Sequence, residues 1–388
     1  MAFVFTLEAL QADHGDSLLL HYGDSANPKL IVIDGGPAGI FKSSLEPRLK
    51  QIQAARGGGV LDIRMVMVSH IDDDHVAGIA DFAKSLRDLH ESHKPLPYDV
   101  LTLWHNSFED ITAQLTPTTA DVLIGAKFPS GANDIHPPGG EDILAGVKQG
   151  RQLRIDADKL NINMNSGFDD LIQFSPTAKP LKISKSLTFR VLGPRKAELD
   201  ALEEKWNKEV KALLKKKHDA GGGTSLTGAE MEALAADFVD TSVHNLSSIV
   251  VLAVSGENEM LLTGDARGDF ILESLSEANL LTNGKHPVDI FKVPHHGSTR
   301  NNAPELFAAV PAKHYVISAN GKYGNPDNPM IDDLFQARPN GKYDIWLTND
   351  VKHAVKRIKD NKPAEVKLHI RDAAELSVKV ELGQKITW

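Results

Sequence analysis

A chain of 388 residues, 41% of them hydrophobic, can bury a large core as one big domain or two. The formal net charge of -9 argues against a broadly basic nucleic-acid-binding surface and leaves room for a local basic groove. The chain contains no cysteine, which excludes disulfides and thiolate metal sites and leaves His, Asp, Glu and Asn as side-chain ligands.

The start of the chain, MAFVFTLEAL, lacks a basic segment and meets Glu8 early, so it reads as a first strand rather than a signal peptide. No apolar run approaches the ~20 residues that a membrane span needs, so no membrane partner is expected. The lack of disulfides fits a cytoplasmic location. Phe3 to Leu7 and Ser17 to Tyr22 form two predicted strands around the polar turn Asp13-His14-Gly15-Asp16. A third strand, Leu30 to Ile33, runs into Asp34-Gly35-Gly36. A helix is expected from Pro47 to Arg56, closed by Gly57-Gly58-Gly59.

The chain then reaches its most informative stretch. Met65 to Val68 is a short continuous apolar run, the mark of a buried strand. Val76, Ile79, Ala80, Ala83 and Leu86 follow at helical spacing. Between them stand His70, Asp72, Asp73, Asp74 and His75, five ligand-type side chains within six residues at the end of a strand. Carboxylates this close repel one another, and a divalent cation is the usual compensation. Imidazole with carboxylate suits zinc, manganese or iron.

From His93 to Lys179 the pattern weakens. Tyr98 to Trp104 reads as one strand whose Trp104-His105-Asn106 end reaches toward the site, Thr116 to Ile124 as a helix, and Pro129 to Gly140 as a loop holding His136. Leu187 to Leu192 is a strand, followed by an insertion from Lys196 to Asp240. Its first half is a helix bearing Lys205, Lys208, Lys211, Lys215, Lys216 and Lys217, which reads as a solvated face or as a contact for phosphates or a partner. Thr227 to Phe238 is a second predicted helix, with Thr227 and Glu230 spaced as a capping box. Buried strands follow at Ile249 to Val254, at Met260 to Asp265 with a Gly-Asp end, and at Val288 to Val293 leading into Pro294-His295-His296-Gly297-Ser298. Tyr315 to Ala319 precedes Asn320-Gly321-Lys322-Tyr323-Gly324-Asn325-Pro326. Ile345 to Thr348, Glu365 to Ile370 and Leu376 to Leu382 are the last strands, and the final two alternate cleanly enough to suggest an appended hairpin.

The spacing His70-x-Asp72-x-Asp74-His75 resembles the His-x-His-x-Asp-His signature of the metallo-β-lactamase superfamily, with Asp72 where the second histidine usually stands. That departure also occurs in the metallo-β-lactamase-like domain of the DNA-uptake protein ComEC. Asp34-Gly35-Gly36, Asn245 with Ser248, Gly264-Asp265 and His295-His296-Gly297-Ser298 resemble the further motifs of that group, in order. Asn325 stands where the group often carries a histidine. In most of the superfamily a histidine ligand occupies the turn at His244-Asn245, so the third ligand of the first metal is left open between them.

The resemblance implies an α+β fold, the αβ/βα four-layer sandwich, here with helical insertions and a C-terminal β-hairpin. It places a hydrolase domain at residues 1–350, with insertions at about 93–180 and 196–240, and a helix and hairpin extension at 351–388. It implies one or two divalent ions, zinc or manganese. Asp74, His75, Asp265 and either His295 or His296 would hold one ion, and His70, Asp72 and Asp265 the other. Asp74, Asp265 and His296 are the residues expected to carry the reaction, the attack of a metal-bound hydroxide on a phosphodiester, with nucleic acid among the candidate substrates. A small ester or lactone hydrolase, and a weakly active metal-binding regulatory or partner protein, are the competing readings. The oligomeric state is not legible.

Overall fold

A computed structural model describes residues 3–107, 140–219, 247–386 and 388. The expected helices at Thr116 to Ile124 and Thr227 to Phe238, the loop with His136, and the turn at His244 and Asn245 lie outside the described residues.

The first half runs β1 (Phe3–Leu10), β2 (Leu18–Asp24), β3 (Lys29–Ile33), α1 (Glu46–Ala55), β4 (Leu61–Ile63), β5 (Met65–Met67), α2 (Asp73–Glu91), β6 (Tyr98–Val100), β7 (Thr102–Trp104), α3 (Gly140–Lys159) and β8 (Asn163–Met164). The second runs β9 (Leu181–Lys182), β10 (Thr188–Gly193), α4 (Lys196–Asp219), β11 (Val250–Ser255), β12 (Asn258–Leu262), α5 (Gly268–Glu277) and β13 (Val288–Lys292). It continues through α6 (Pro304–Ala309), β14 (Ala312–Ile317), α7 (Asn328–Ala337), β15 (Asp344–Leu347), α8 (Lys352–Asn361), β16 (Lys367–Ile370) and β17 (Ser377–Glu381).

Among the described residues these strands build two large mixed sheets, ordered β17-β1-β2-β3-β5-β7-β8 and β16-β15-β14-β13-β12-β11-β10-β9, with β4 and β6 forming a small third one. Alternate residues of the two large sheets meet in a shared core. Phe5, Leu7, Leu20, Ile31, Met67 and Trp104 of the first pack with Phe189, Val251, Met260, Ile290 and Val316 of the second. The opposite face of the first sheet packs Val32, Val66 and Val68 on Phe41, Ile52, Ile79, Phe82 and Leu86, the apolar stripe of α2 among them. The opposite face of the second packs Leu252, Leu261, Phe291 and Tyr315 on Ile271, Leu306, Leu334 and Ile358 from α5, α6, α7 and α8. The order of layers is helix, sheet, sheet, helix, as expected.

Strands β3, β5, β7 and β8 are parallel, as are β12 through β16. Parallel strands buried on both faces explain the continuous apolar runs that marked them in the sequence. Their carboxyl ends share one edge of the sandwich, where open α/β sheets place their ligands.

Two expectations are corrected. The predicted strand from Tyr98 to Trp104 is two strands, because the chain bends at the exposed Leu101. It bends likewise at Arg64, between β4 and β5, so β4 pairs with β6 while β5 pairs with β7. The C-terminal β-hairpin is not formed: β16 joins β15 in the second sheet, and β17 crosses to join β1 in the first. Each of those sheets offers an open edge, and an edge strand is a template for whichever segment reaches it. Alternation in a sequence fixes a strand's faces and leaves its neighbour unspecified. Ala354, Val355 and Ile358 of α8 are buried in the same core as β13 and β14, so residues 351–381 are continuous with the sandwich.

Candidate metal centre

Strand β5 ends in Val68-Ser69-His70-Ile71, and Asp72 opens α2 in an extended conformation at φ -66° and ψ 142°. The Asp72 carbonyl accepts hydrogen bonds from His75 N (2.9 Å) and Val76 N (3.0 Å). Its carboxylate does not cap the helix and lies instead beside His70, with Oδ2 3.4 Å from Nε2. Asp73 and Asp74 occupy the first turn, where the helix dipole favours negative charge. Asp73 turns away and accepts a hydrogen bond from Gln149 Nε2 of α3 at 2.8 Å. Asp74 faces the strand ends.

The opening turn packs directly on this helix start. A side chain at Gly15 would collide with the Asp74 carbonyl, its Cβ only 1.9 Å from that oxygen. Gly35 and Gly78 likewise meet backbone to backbone, a Cβ on Gly78 falling 1.9 Å from the Gly35 carbonyl. Only glycine allows the end of β3 and the start of α2 to approach this closely.

Asp265, delivered by β12, stands at the centre. Its Oδ1 is 3.3 Å from His75 Nε2, and its Oδ2 is 3.6 Å from His296 Nε2, 3.7 Å from His295 Nε2 and 3.9 Å from His70 Nε2. Asp74 Oδ2 is 3.3 Å from His296 Nε2, and Asp74 Oδ1 is 3.9 Å from His75 Nε2. The structure thus places His70, His75, His295 and His296 around Asp265, with Asp74 beside His75 and His296 and Asp72 beside His70.

The vicinal histidines both reach it because of their backbone. His295 (φ 47°), His296 (φ 54°) and Gly297 (φ 86°) are successive left-handed residues, which splays the two imidazoles to either side of Asp265. Only His296 also meets Asp74. Two overlapping groups result, Asp74 with His75, His296 and Asp265, and His70 with Asp72 and Asp265, while His295 is placed against Asp265 alone.

The four histidines share one arrangement, with Nδ1 held from outside and Nε2 aimed inward. The outer partners are Ser69 Oγ for His70 (3.0 Å), Asp34 Oδ2 for His75 (2.9 Å), Asn301 Oδ1 for His295 (2.8 Å) and the Ser318 carbonyl for His296 (3.0 Å). Asp34 also accepts from Ser69 N and Ser69 Oγ, both at 2.7 Å, so this one buried carboxylate orients two ring systems. Partners of this kind fix tautomer and ring direction in metal sites. Asp34→Ala is expected to weaken metal affinity about 10–100-fold. Competition against a chromophoric chelator measures it, and Asp34→Asn, which keeps an acceptor for His75, should recover much of the loss. Unchanged affinity in the Ala variant would mean His75 is oriented by other contacts.

Two observations test whether these residues fit a cation. The Nε2 atoms of His70, His75 and His296 are buried, with no hydrogen-bond partner among the described residues. They stand 3.3 to 3.9 Å from the carboxylate oxygens. Ligands about 2.0–2.2 Å from a tetrahedral ion stand about 3.3–3.6 Å from one another, which is the spacing present. The residues fit a divalent metal.

The charges agree. Burial alone would neutralise His75, but Asp265, Asp74 and Asp34 outweigh it and raise its pKa well above the ordinary histidine value. Burial is likewise outweighed at His296, where Asp265 and Asp16 push the pKa up to about 10. Burial also opposes ionisation of Asp265, yet His296, His75 and His295 hold it well below the usual carboxylate range. Protons on these imidazoles balance the carboxylates in the way a cation would.

Sequence reasoning assigned no role to Asp16 or Lys292. Asp16, His75, Asp265 and His296 each place a ligand-type atom within 4.8 Å of the others. Asp16 nevertheless lies behind His296, on its Nδ1 side at 3.5 Å, and pairs with the fully buried Lys292 ammonium at 2.6 Å. We read it as a brace for His296 rather than an inward-facing ligand. The available signal was a lysine inside the otherwise apolar run Ile290-Phe291-Lys292-Val293, since a buried ammonium needs a buried anion. His105, expected near the site, is buried without a hydrogen-bond partner for either ring nitrogen among the described residues, and burial pushes its pKa down to about 3. It is not among the gathered residues.

No curated protein matches the sequence. Solved structures similar to this chain include the metallo-β-lactamase fold protein YhfI from Bacillus subtilis, at 11% identity over 97% of this chain and 99% of that one, with a TM-score of 0.39. They also include MEM-A1, a subclass B3 metallo-β-lactamase from a soil metagenome library, at 12% identity over 77% and 80% of the two chains, with a TM-score of 0.30. The metallo-β-lactamase superfamily model matches residues 23–156, the segment that holds the His70–His75 motif, and the four-layer sandwich built around that segment is the metallo-β-lactamase fold.

Proposed function

We propose that the protein is a metal-dependent hydrolase acting on phosphodiesters. The observation that carries this is the convergence of four inward-facing imidazole nitrogens with Asp72, Asp74 and Asp265 at ligand spacing, at the carboxyl edge of both sheets. Its zinc- or manganese-type ions, when bound, lower the pKa of a water molecule and offset charge developing on the phosphoryl oxygens.

The chain's own residues divide the remaining work. Asp265, with a side chain 4% exposed, lies between the two ligand sets and holds their spacing. Asp74 is the more open carboxylate at 22%, and it stays ionised because His75 and His296 outweigh the burial that opposes its charge. It orients the attacking water and takes its proton. The water oxygen forms a new bond to phosphorus, the bond from phosphorus to the leaving alcohol breaks, and a proton ends on the departing alkoxide. His296, braced by the Ser318 carbonyl and Asp16, keeps Nε2 turned toward Asp74 throughout.

The choice of a phosphodiester rests on the likeness of Asp72 and of His295-His296-Gly297-Ser298 to the ComEC-type group, and on the Lys322 ammonium beside His14 at the site's border. Lys208, Lys211, Lys215 and Lys216 of α4 are exposed and add a candidate contact for a longer nucleic acid. Among the described residues no helix is long and apolar enough to cross a membrane. A hydrolase domain at 1–350 with the extension at 351–388 packed into the same sandwich, and a cytoplasmic location, belong to this proposal.

Asp72 in place of a histidine hardens one ligand set, so manganese should support higher activity than zinc. Metal-free protein reconstituted with each ion in turn, and assayed on bis-p-nitrophenyl phosphate beside a lactone panel, tests metal and substrate together. Turnover of lactones alone would give the substrate to the ester reading. Bound metal without turnover would give the protein to the regulatory one, and a clear zinc preference would contradict the metal argument.

A further inference from the structure

The loop after β14 carries Tyr323, whose ring is 60% exposed yet held on two sides. The His14 ring meets it edge-on with centroids 5.3 Å apart, and Lys322 Nζ lies 4.8 Å from its centroid. Lys322 Nζ is also 3.5 Å from His14 Nε2, so two loops distant in sequence form one small ledge of an aromatic face, an ammonium and an imidazole.

The ledge is tied to the metal centre from both sides. Gly15, next to His14, packs on the Asp74 carbonyl, and its own carbonyl accepts Ser318 Oγ at 2.7 Å. At the far end of the Tyr323 loop, Asp327 N donates to the Gly297 carbonyl at 3.0 Å and Asp327 Oδ2 accepts from Thr299 N at 2.8 Å, which fastens the loop to the turn bearing His295 and His296. His353 Nε2 is 3.0 Å from the Pro326 carbonyl and adds a third anchor. His14 also lies within the electrostatic reach of Asp74 and His296.

We propose that His14, Lys322 and Tyr323 bind a nucleotidyl group, with the base stacked on the open face of Tyr323 and the adjoining phosphate beside Lys322 and His14. Every nucleobase has a π face that an exposed aromatic ring accepts. The Lys322 ammonium supplies charge and donors for a phosphate. The inference rests on the phosphodiester reading and narrows it to diesters that carry a base.

Binding of thymidine 5'-monophosphate and of ribose 5-phosphate to the full chain tests the ledge without requiring turnover. Wild type should prefer the nucleotide by about tenfold or more, the scale of one base stacked on an aromatic side chain. Tyr323→Ala should erase that preference, Tyr323→Phe should retain it, and Lys322→Ala should weaken both ligands. Equal binding of the two ligands by wild type, or a preference that survives in Tyr323→Ala, would overturn the proposal. Hydrolysis of bis-p-nitrophenyl phosphate, measured alongside, separates the two levels. A Tyr323-dependent preference without hydrolysis keeps the ledge and removes the hydrolytic reading. Hydrolysis without such a preference does the reverse.

Discussion

Asp265→Ala is expected to abolish turnover and to release bound metal. The Asp265 carboxylate faces His70, His75, His295 and His296 at 3.3 to 3.9 Å, so it is the group common to both ligand sets. Removing it takes a ligand from each and leaves buried imidazoles without their counter-charge, a change that costs more than the loss of an exposed pair. Asp73→Ala is the matched comparison. Asp73 sits one residue from Asp74 but turns to Gln149, so its loss should lower activity by less than about tenfold, below the roughly 10–100-fold effect of partners that orient the inward-facing groups. Steady-state rates for both variants, with circular dichroism to confirm folding, decide the matter. Equal losses in two folded variants would mean that the inward-facing set has been misassigned.

The second large effect is one of pH. In the metal-free protein the His75 pKa lies well above its ordinary value and that of His296 is about 10, because the surrounding carboxylates outweigh burial. Both rings therefore carry a second proton at neutral pH, and a metal ligand must be neutral at its coordinating nitrogen. Filling the Asp74, His75, His296 and Asp265 set must displace those two protons. Apparent affinity should then rise about a hundredfold for each unit of pH through the neutral range, the slope that two released protons impose. The rise should flatten only as pH nears the raised pKa values. Competition with a chelator of known proton affinity at several pH values measures the slope. A slope near zero would show that the histidines are already neutral in the metal-free protein.

The parts legible in the sequence were those written in contiguous residues. Continuous apolar runs at Met65 to Val68, Ile249 to Val254 and Val288 to Val293 marked strands buried on both faces. The helical spacing of Val76, Ile79, Ala83 and Leu86 marked the helix that carries Asp74 and His75. The ligand-type residues were legible because charged groups clustered at strand ends lack an ordinary structural reason.

What escaped depended on the path of the backbone or on partners far apart. Whether His295 or His296 faced the site was open, because the left-handed turn that brings both to Asp265 is a property of the backbone. The pairing of Asp16 with Lys292, and the ledge of His14 with Tyr323, join segments that only the packed sandwich brings together. The last two strands were recognised by alternation and mispaired, since alternation does not say which of two open edges a strand will meet. Leu101 looked like the middle of a strand and is the bend between two.

Metal content is the most direct test of this account. Protein purified without chelator and analysed by elemental mass spectrometry should carry one or two divalent ions per chain. The more tightly held should be the ion of the Asp74, His75, His296 and Asp265 set, and Asp265→Ala should carry none. A folded wild-type chain that binds no divalent metal, as purified or after reconstitution, would contradict it.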